Sequence, residues 1–583
     1  MPESKMFGND KMKYVKKLWH WPLVLILAGV FFIGASGFNY FLNKDGIVKW
    51  VSPDETANYT FAKLYAQTGN LTIFEKYNIY AEDIIHPRSF RSDDGFLKPV
   101  SFLGIILIYG TIAKMTSVKL LPFLTPLFGA IGIIFYYLLI REIFGKKNAL
   151  ISAFLLTVFP VYVYYSVRSM FHNVLFAVLL VIGLYFSVVM TRERFGQKWP
   201  GLVFAGLGGI FTGLAIMARA SELLWMVPLF FILWIFNIKK IGILKLALFI
   251  SFLFFSLTPA FYWNKILYGS FFSGGYPEMN SSIANLRQAS ATIAKAAVLK
   301  KSLAKGAVSK IKNTIFYFGF HPRDSVKMLY EYFTRMFPWI FWPAVLGFIL
   351  LLLNRKKIRR KHLVFILGYA VLALILIFYY GSWKFNDNPD PRQITIGNSY
   401  TRYWLPVYLG ALPFASLFIL KITSFWMNRR DDRSKMNYHL KVFAKAATRV
   451  ILLALIAIVS FNFVLRGSSE GLIYTYQKEK VSKEELKKVL KLTEPDSVII
   501  TKYQDKLFFP ERKVIVGLFD DNNMIYDYAE LAKFIPVYYY NFTFPKKDFD
   551  YLNDKRLAPD GIGIKKVASV DEFTLYKIER IKI

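Results

Sequence analysis

Residues 21–55 read WPLVLILAGVFFIGASGFNYFLNKDGIVKWVSPDE. The stretch opens on an apolar run, Trp21 to Phe38, and closes on two adjacent carboxylates, Asp54 and Glu55. An uncharged run of about 18 residues is long enough to cross a hydrocarbon core of ~30 Å. Lysines precede it, as in a signal peptide. The run is too long for one, however, and no small-residue cleavage site follows, so it reads as a retained first helix. Beyond it the chain turns polar as far as Lys98.

The rest of the chain repeats the theme. Of 583 residues, 55% are hydrophobic and 18% aromatic, in apolar runs that recur through residue 465. These runs do not alternate in polarity, as barrel strands would. Helices are the other way to satisfy a backbone inside lipid. The expected fold is therefore an α-helical polytopic membrane protein. The net charge of +35 would suggest nucleic acid in a soluble chain. Here much of the excess sits in short connectors between apolar runs, where the positive-inside rule and anionic lipid explain it. A lipid bilayer, and no nucleic acid, is the expected partner. With no cysteine in the chain, disulfides, thiolate metal sites and Cys nucleophiles are excluded.

Charge sorts the connectors. Lys5, Lys11, Lys13, Lys16 and Lys17 put the N-terminus, residues 1–20, in the cytoplasm. Spans follow near 120–140, 149–165, 172–190, 202–218, 222–236, 247–263, 337–353, 363–380, 402–420 and 447–465. The basic connectors Arg141–Lys147, Arg192–Lys198, Lys239-Lys240, Asn354–Lys361 and Lys421–Lys445 all fall inside if residues 99–114 do not cross. About 11 transmembrane helices result, within a membrane domain over 21–465. Residues 41–119, 264–336, 381–401 and 466–583 then face outward, and the sequons at Asn58, Asn70, Asn280 and Asn541 all lie there. The lysine- and alanine-rich stretch Ala284–Lys312 reads as an amphipathic surface helix or a lid over an acceptor. The tail 466–583 is charged and lacks a long apolar run, which marks a separate small α/β domain. Within it a helix is expected at Lys483–Leu492 and another at Tyr528–Phe534. Strands are expected at Ser497–Thr501, Lys513–Gly517, Val537–Phe542 and Phe573–Ile578.

Three sets of residues could carry chemistry. Asp54 and Glu55 could serve as a general base near the membrane; they equally suit an acidic turn or the N-terminus of a helix over Thr56–Gln67. His86, Arg88 and Lys98, in the same loop, suit a phosphate at a lipid interface, or plain headgroup contact. Arg168, Arg219 and Arg402, with Tyr403 beside the last, stand at expected outer helix ends. Charge there is costly and marks function, and the three together would make an anion site.

Taken in order, these features resemble the GT-C superfamily of membrane glycosyltransferases, most closely its protein O-mannosyltransferase and aminoarabinose-transferase branch. The resemblance covers residues 45–420. Asp54-Glu55 matches that branch's early Asp-Glu pair, followed by a helix ending in Thr68-Gly69 and by Lys98-Pro99 before a short apolar helix. The connector Arg141–Gly145, the stretch Pro160–Arg168, the helix end Gly213–Arg219, the loop Tyr268–Tyr276 and the helix start Arg402–Pro406 follow in the same order. Met170-Phe171-His172-Asn173 departs from the pattern where an acidic residue is common, so His172 is a further candidate there. No Trp-Trp-Asp-Tyr-Gly motif is present, which disfavours an oligosaccharyltransferase subunit.

The resemblance implies an inverting transfer of a sugar from a polyprenyl-phosphate donor to the hydroxyl of a glycan, lipid or protein on the outer face. It gives Asp54 the role of base and Glu55 a supporting one. Lys98 and Arg402, with Arg88 or Arg219, would hold the leaving phosphate. It implies no certain cofactor and leaves room for a divalent Mg or Mn ion. The competing classes are another lipid-carrier enzyme, such as a glycan polymerase or ligase, and a transporter or flippase. The latter predicts charge at mid-membrane within the helices, and the spans here are almost uncharged.

Overall fold

The structure is a computed structural model that describes residues 20–192, 198–276, 316, 319–354, 358–388, 390, 392–425, 438–570 and 572–581. The N-terminal lysines, Asn280 and the stretch Ala284–Lys312 lie outside the described residues. The chain divides into two compact units, one taking in the described parts of Met1–Asn39, Pro122–Ala260 and Glu278–Tyr474, the other Tyr40–Leu121, Phe261–Pro277 and Thr475–Ile583.

The first unit is helical. Among the described residues, eight helices are long and apolar enough to cross a membrane, or ten if each of two bent pairs counts as one span. The expected span 222–236 is a shorter apolar helix within Ala220–Ile235, which accounts for the difference from eleven. One bent pair, Lys146–Val158 and Pro160–Val167, replaces the expected single span 149–165 and turns by 52°. Pro160 causes the break, because it lacks an N–H and holds the residue before it out of the α region. Phe159 accordingly sits at φ −67°, ψ 121°. The other pair, Pro322–Arg335 with Pro338–Leu353, bends by 104°.

Small residues set the helix spacing. A Cβ on Gly209 would fall 2.1 Å from the Phe249 carbonyl oxygen, and one on Gly213 would fall 2.0 Å from Ser256 Oγ. Helix Trp199–Ala218 therefore lies nearly backbone to backbone on helix Ile238–Tyr268. Gly347 does the same toward the Phe414 carbonyl. Inside lipid the apolar effect between helices is weak, and close van der Waals packing of this kind replaces it.

The second unit mixes helix and sheet. Strands β1 (Ile73–Phe74), β2 (Phe90–Asp93) and β3 (Phe96–Pro99) form an antiparallel sheet in the order β1-β3-β2. The β2–β3 turn is Asp94-Gly95, both at positive φ (52° and 80°), the geometry an Asp-Gly hairpin supplies at little cost. The Asp83 carboxylate binds the turn, accepting from the Asp94 N–H (2.9 Å), the Gly95 N–H (2.8 Å) and the Ser92 hydroxyl (2.6 Å). Burial pushes this carboxyl up, but the three hydrogen bonds outweigh it, and it rests below its ordinary value.

The tail contributes β4 (Val498–Ile500), β5 (Lys513–Ile515), β6 (Val537–Phe542), β7 (Ile562–Val570) and β8 (Phe573–Arg580), in the order β5-β4-β6-β8-β7. The first three are parallel, and β6, β8 and β7 pair antiparallel. Strand β7, unforeseen from sequence, carries two lysines, Lys565 and Lys566, which hide its apolar alternation. The expected helix Lys483–Leu492 falls within Leu472–Leu492, and the expected Tyr528–Phe534 overlaps only the last turn of Asn522–Leu531.

The tail is a small domain on its own five-stranded sheet, as expected. Thr475–Ile583 groups in one unit with the first loop, because the two share a core. Ala81 and Ile85 are buried among Ile500, Ile515, Val537 and Tyr539. Ion pairs reinforce the joint: Lys49 with Glu511, and Lys483 with Asp45. Helix Leu103–Met115 belongs here too. Its 13 residues span only about 20 Å, short of a ~30 Å hydrocarbon core.

Candidate active site

Asp54 and Glu55 lie inside the first turn of helix Pro53–Thr68. Ser52 is the N-cap and Pro53 is the first helical residue. Proline suits that position, where its missing N–H is no loss. The Glu55 carboxylate reaches back to the Ser52 N–H (3.1 Å), closing a capping box, and Glu55 is buried. Asp54 is half-buried, and its Oδ1 accepts from the Ser89 hydroxyl at 2.6 Å. Successive helical residues diverge by about 100°, so neighbouring carboxylates separate into different roles. The helix N-terminus also stabilises negative charge there. Ser89 itself sits at φ 63°, a left-handed conformation that costs a non-glycine residue about 1 kcal/mol or more.

The cations of the same loop are tied into the second unit. Arg88 donates from Nε and Nη2 to the fully buried Asp505, at 3.1 and 2.6 Å to Oδ1, and its backbone N–H adds a bond to Oδ2 at 2.9 Å. Lys98, on β3 opposite Arg91, reaches Asp93 at 3.2 Å. His86 Nδ1 lies 3.0 Å from the Pro87 carbonyl. The Lys98-Pro99 motif meets the loop Tyr268–Tyr276. The Tyr268 hydroxyl donates to the Pro99 carbonyl, and a Cβ on Gly275 would fall 2.4 Å from the Val100 carbonyl.

The arginines of the first unit do converge. Arg168 closes helix Pro160–Val167, Arg219 closes Trp199–Ala218, and Arg402 lies in Ser399–Tyr403 just before Leu405–Phe425. Two aromatic rings gather them. Phe171 carries Arg168 at 5.3 Å and Arg402 at 4.9 Å, guanidinium carbon to ring centre. Tyr403 carries Arg402 at 5.2 Å and Arg219 at 4.7 Å. Each is within cation–π range. Further contacts orient them: Arg402 donates to Ser399 Oγ (2.8 Å) and Arg168 to the Tyr164 hydroxyl (3.0 Å). Arg219 forks onto Glu222 Oε1 at 2.9 and 2.7 Å, and the Tyr380 hydroxyl donates to the same oxygen at 2.8 Å. Tyr380 then stacks on Tyr403 at 4.5 Å. His172, at the start of helix His172–Val189, is buried, and its neighbour Asn173 donates to the Arg402 carbonyl at 3.0 Å.

Four of these residues were not singled out from sequence: Ser89, Asp505, Tyr380 and Glu222's partner Trp225, which donates to the second Glu222 oxygen. Ser89 and Asp505 carry no local signal. Tyr380 had one, an aromatic pair (Tyr379-Tyr380) closing an apolar run. Among the described residues, no three His, Asp or Glu side chains gather as a metal cluster would.

Residues 101–263 match the family model described as dolichyl-phosphate-mannose-protein mannosyltransferase. Arg168 and Arg219 fall inside the matched segment, and Asp54, Lys98 and Arg402 outside it. A search of curated proteins by sequence finds no match. Among solved structures, the chain is similar to ArnT from Cupriavidus metallidurans bound to undecaprenyl phosphate. The TM-score is 0.56 at 12% identity, covering 96% of this chain and 98% of that one. The same protein in the apo state gives a TM-score of 0.51 at 12% identity, covering 93% and 98%. The archaeal oligosaccharyltransferase AglB from Archaeoglobus fulgidus, in complex with an inhibitory peptide and a dolichol-phosphate, gives 0.51 at 12% identity, covering 96% and 74%. In fold along its length, and in sequence over 101–263, the chain resembles GT-C membrane glycosyltransferases of the mannosyltransferase and aminoarabinose-transferase kind.

Proposed function

We propose that the protein is an inverting glycosyltransferase that moves a sugar from a polyprenyl-phosphate carrier to an acceptor hydroxyl on the outer membrane face. The observation that carries this reading is the gathering of Arg168, Arg219 and Arg402 on the rings of Phe171 and Tyr403. Guanidiniums gathered at helix ends favour anions among them, as Glu222 does at Arg219, and a guanidinium fork suits a phosphate. The solved neighbours found with undecaprenyl phosphate and dolichol-phosphate support a lipid phosphate as that anion.

In the reaction, the Asp54 carboxylate takes the proton of the acceptor hydroxyl. The acceptor oxygen bonds to the anomeric carbon from the face opposite the carrier. The bond to the phosphate oxygen breaks, and its electron pair stays on the lipid phosphate. Charge grows on that phosphate in the transition state, so the arginines are worth more there than in the ground state. Ser89 fixes the Asp54 carboxylate, and Glu55 fixes the helix start that presents it. Lys98 is a secondary phosphate contact.

The test is transfer by reconstituted protein with a polyprenyl-phosphate sugar. Asp54→Asn is expected to slow transfer at least about a hundredfold while lipid-phosphate binding persists. Wild-type turnover by that variant would remove Asp54 as the base.

A further inference from the structure

Within the first unit, a cavity of about 480 Å³ opens among the basic helix ends and runs inward as far as Pro406, Leu409 and Gly410, within the ~300–1,000 Å³ of small-molecule sites. Its walls are apolar, among them Ala177, Leu180 and Leu184 on helix His172–Val189 and Leu233 on Leu223–Ile235. On helix Arg360–Gly381 the lining runs from Arg360 to Leu372. At 1.5 Å per residue that is about 18 Å of depth, slightly more than one leaflet of a ~30 Å hydrocarbon core.

The mouth is cationic. Arg192, Lys240, Arg359, Arg360 and Lys361 line it with one carboxylate, Glu142. Arg192 pairs with Glu142, with Nε at 3.1 Å. Lys361 Nζ donates to the Glu142 carbonyl at 2.6 Å, and Arg360 donates to the Phe236 carbonyl. Carbonyl contacts orient these two cations without neutralising them. Arg359, Arg360 and Lys361 are exposed.

We propose that this cavity binds an anionic phospholipid of the leaflet on the basic-loop side, with one acyl chain between the helices and the phosphate at the mouth. The pieces match term by term. An apolar slot one leaflet deep is satisfied by hydrocarbon, and a mouth with excess positive charge by a phosphate headgroup. Free phosphate would leave the slot empty. The mouth lies at the opposite helix ends from the arginines assigned to the carrier, and its occupancy does not depend on the proposed reaction.

The experiment uses the full chain, purified in mild detergent and exchanged into phosphatidylglycerol or phosphatidylcholine. Retained lipid is counted by native mass spectrometry, and unfolding is followed by heating. Wild type is expected to retain phosphatidylglycerol at least tenfold more tightly than phosphatidylcholine and to melt higher with it. Arg359→Ala with Lys361→Ala should erase that preference. Leu184→Trp, which fills the slot and leaves the mouth intact, should lose retention altogether, so the two variants test the two halves separately. Equal retention of both lipids, or unchanged retention by a folded Leu184→Trp protein, would overturn the proposal. So would displacement by inorganic phosphate at the same concentration as phosphatidylglycerol.

Discussion

The two units hold their candidate phosphate-binding cations differently. In the unit built from the first loop and the tail, cations meet carboxylates: Arg88 with Asp505, Lys483 with Asp45, Lys49 with Glu511. In the helical unit, Arg168, Arg219 and Arg402 are gathered on shared ring faces, with Glu222 also held on Arg219. A carboxylate partner fixes a cation by neutralising it, so such pairs build architecture. A ring face packs on the flat of a guanidinium and leaves the direction of its N–H edge to be set by hydrogen-bond acceptors. The contrast teaches that the same residue type, close in composition and equally near expected membrane surfaces, serves assembly in one unit and suits anion recognition in the other.

The largest test of that division lies at the carboxylate. Asp54→Asn should lower transfer by about 10²–10⁴-fold, the usual span for a lost general base, with unfolding temperature unchanged. Ser89→Ala removes only the hydroxyl that fixes Asp54 and should cost less. The next effect is at the rings. Arg402→Ala should weaken use of the lipid-linked donor by about ten- to a hundredfold, as expected for losing a charge-assisted hydrogen bond of about 1.5–3 kcal/mol. Arg402→Lys should recover only part of it, because an ammonium lacks the planar fork. Donor and acceptor titrations separate the outcomes, since equal effects on both would argue against a phosphate role.

Arg88→Ala should act on stability instead. It leaves the fully buried Asp505 without its guanidinium. Breaking a buried pair costs about 3–5 kcal/mol, but the Arg88 side chain is 41% exposed, and screening brings the expectation to about 1–2 kcal/mol. Limited proteolysis between the loop and the tail would read it. A loss of donor affinity with unchanged stability would move Arg88 to the functional side of the comparison. Glu55 divides similarly. Glu55→Gln can keep the capping box and should keep transfer, whereas Glu55→Ala should cost about 1 kcal/mol of helix stability.

The smallest effect is in pH. The Asp83 carboxyl titrates below its unfolded value near 3.9. Its contribution to the β2–β3 turn is therefore complete above about pH 4 and fades as pH falls through the lower, folded value. Asp83→Asn should flatten that acid limb of a stability profile.

Legibility followed the same line between the units. The helical unit was plain because long apolar runs have one solution in lipid. The arginine cluster was plain too, because charge at a helix end in such a run is rare enough to notice. What sequence could not show was the bend at Phe159-Pro160 within a single expected span, although Pro160 was its visible cause. The second unit was harder. Its core joins Ala81 and Ile85 to Val498 and Tyr539 across some four hundred residues, and no local pattern reports such a pairing. For the same reason Arg88 read as a phosphate ligand, since Asp505 gives no sign of where it will fold. Asp54 and Glu55 were legible as a pair with two open readings. The fold gives Glu55 the cap and presents Asp54 beside a hydroxyl.

The central claim is that Asp54 does the proton chemistry and the ring-held arginines hold the carrier phosphate. Its most direct test sets two variants side by side, measuring polyprenyl-phosphate binding and sugar transfer on the same preparations. Asp54→Asn should bind the lipid phosphate like wild type and transfer at least about a hundredfold more slowly, while Arg402→Ala should lose binding at least tenfold. Transfer at the wild-type rate by Asp54→Asn, or wild-type lipid-phosphate binding by Arg402→Ala, would contradict it.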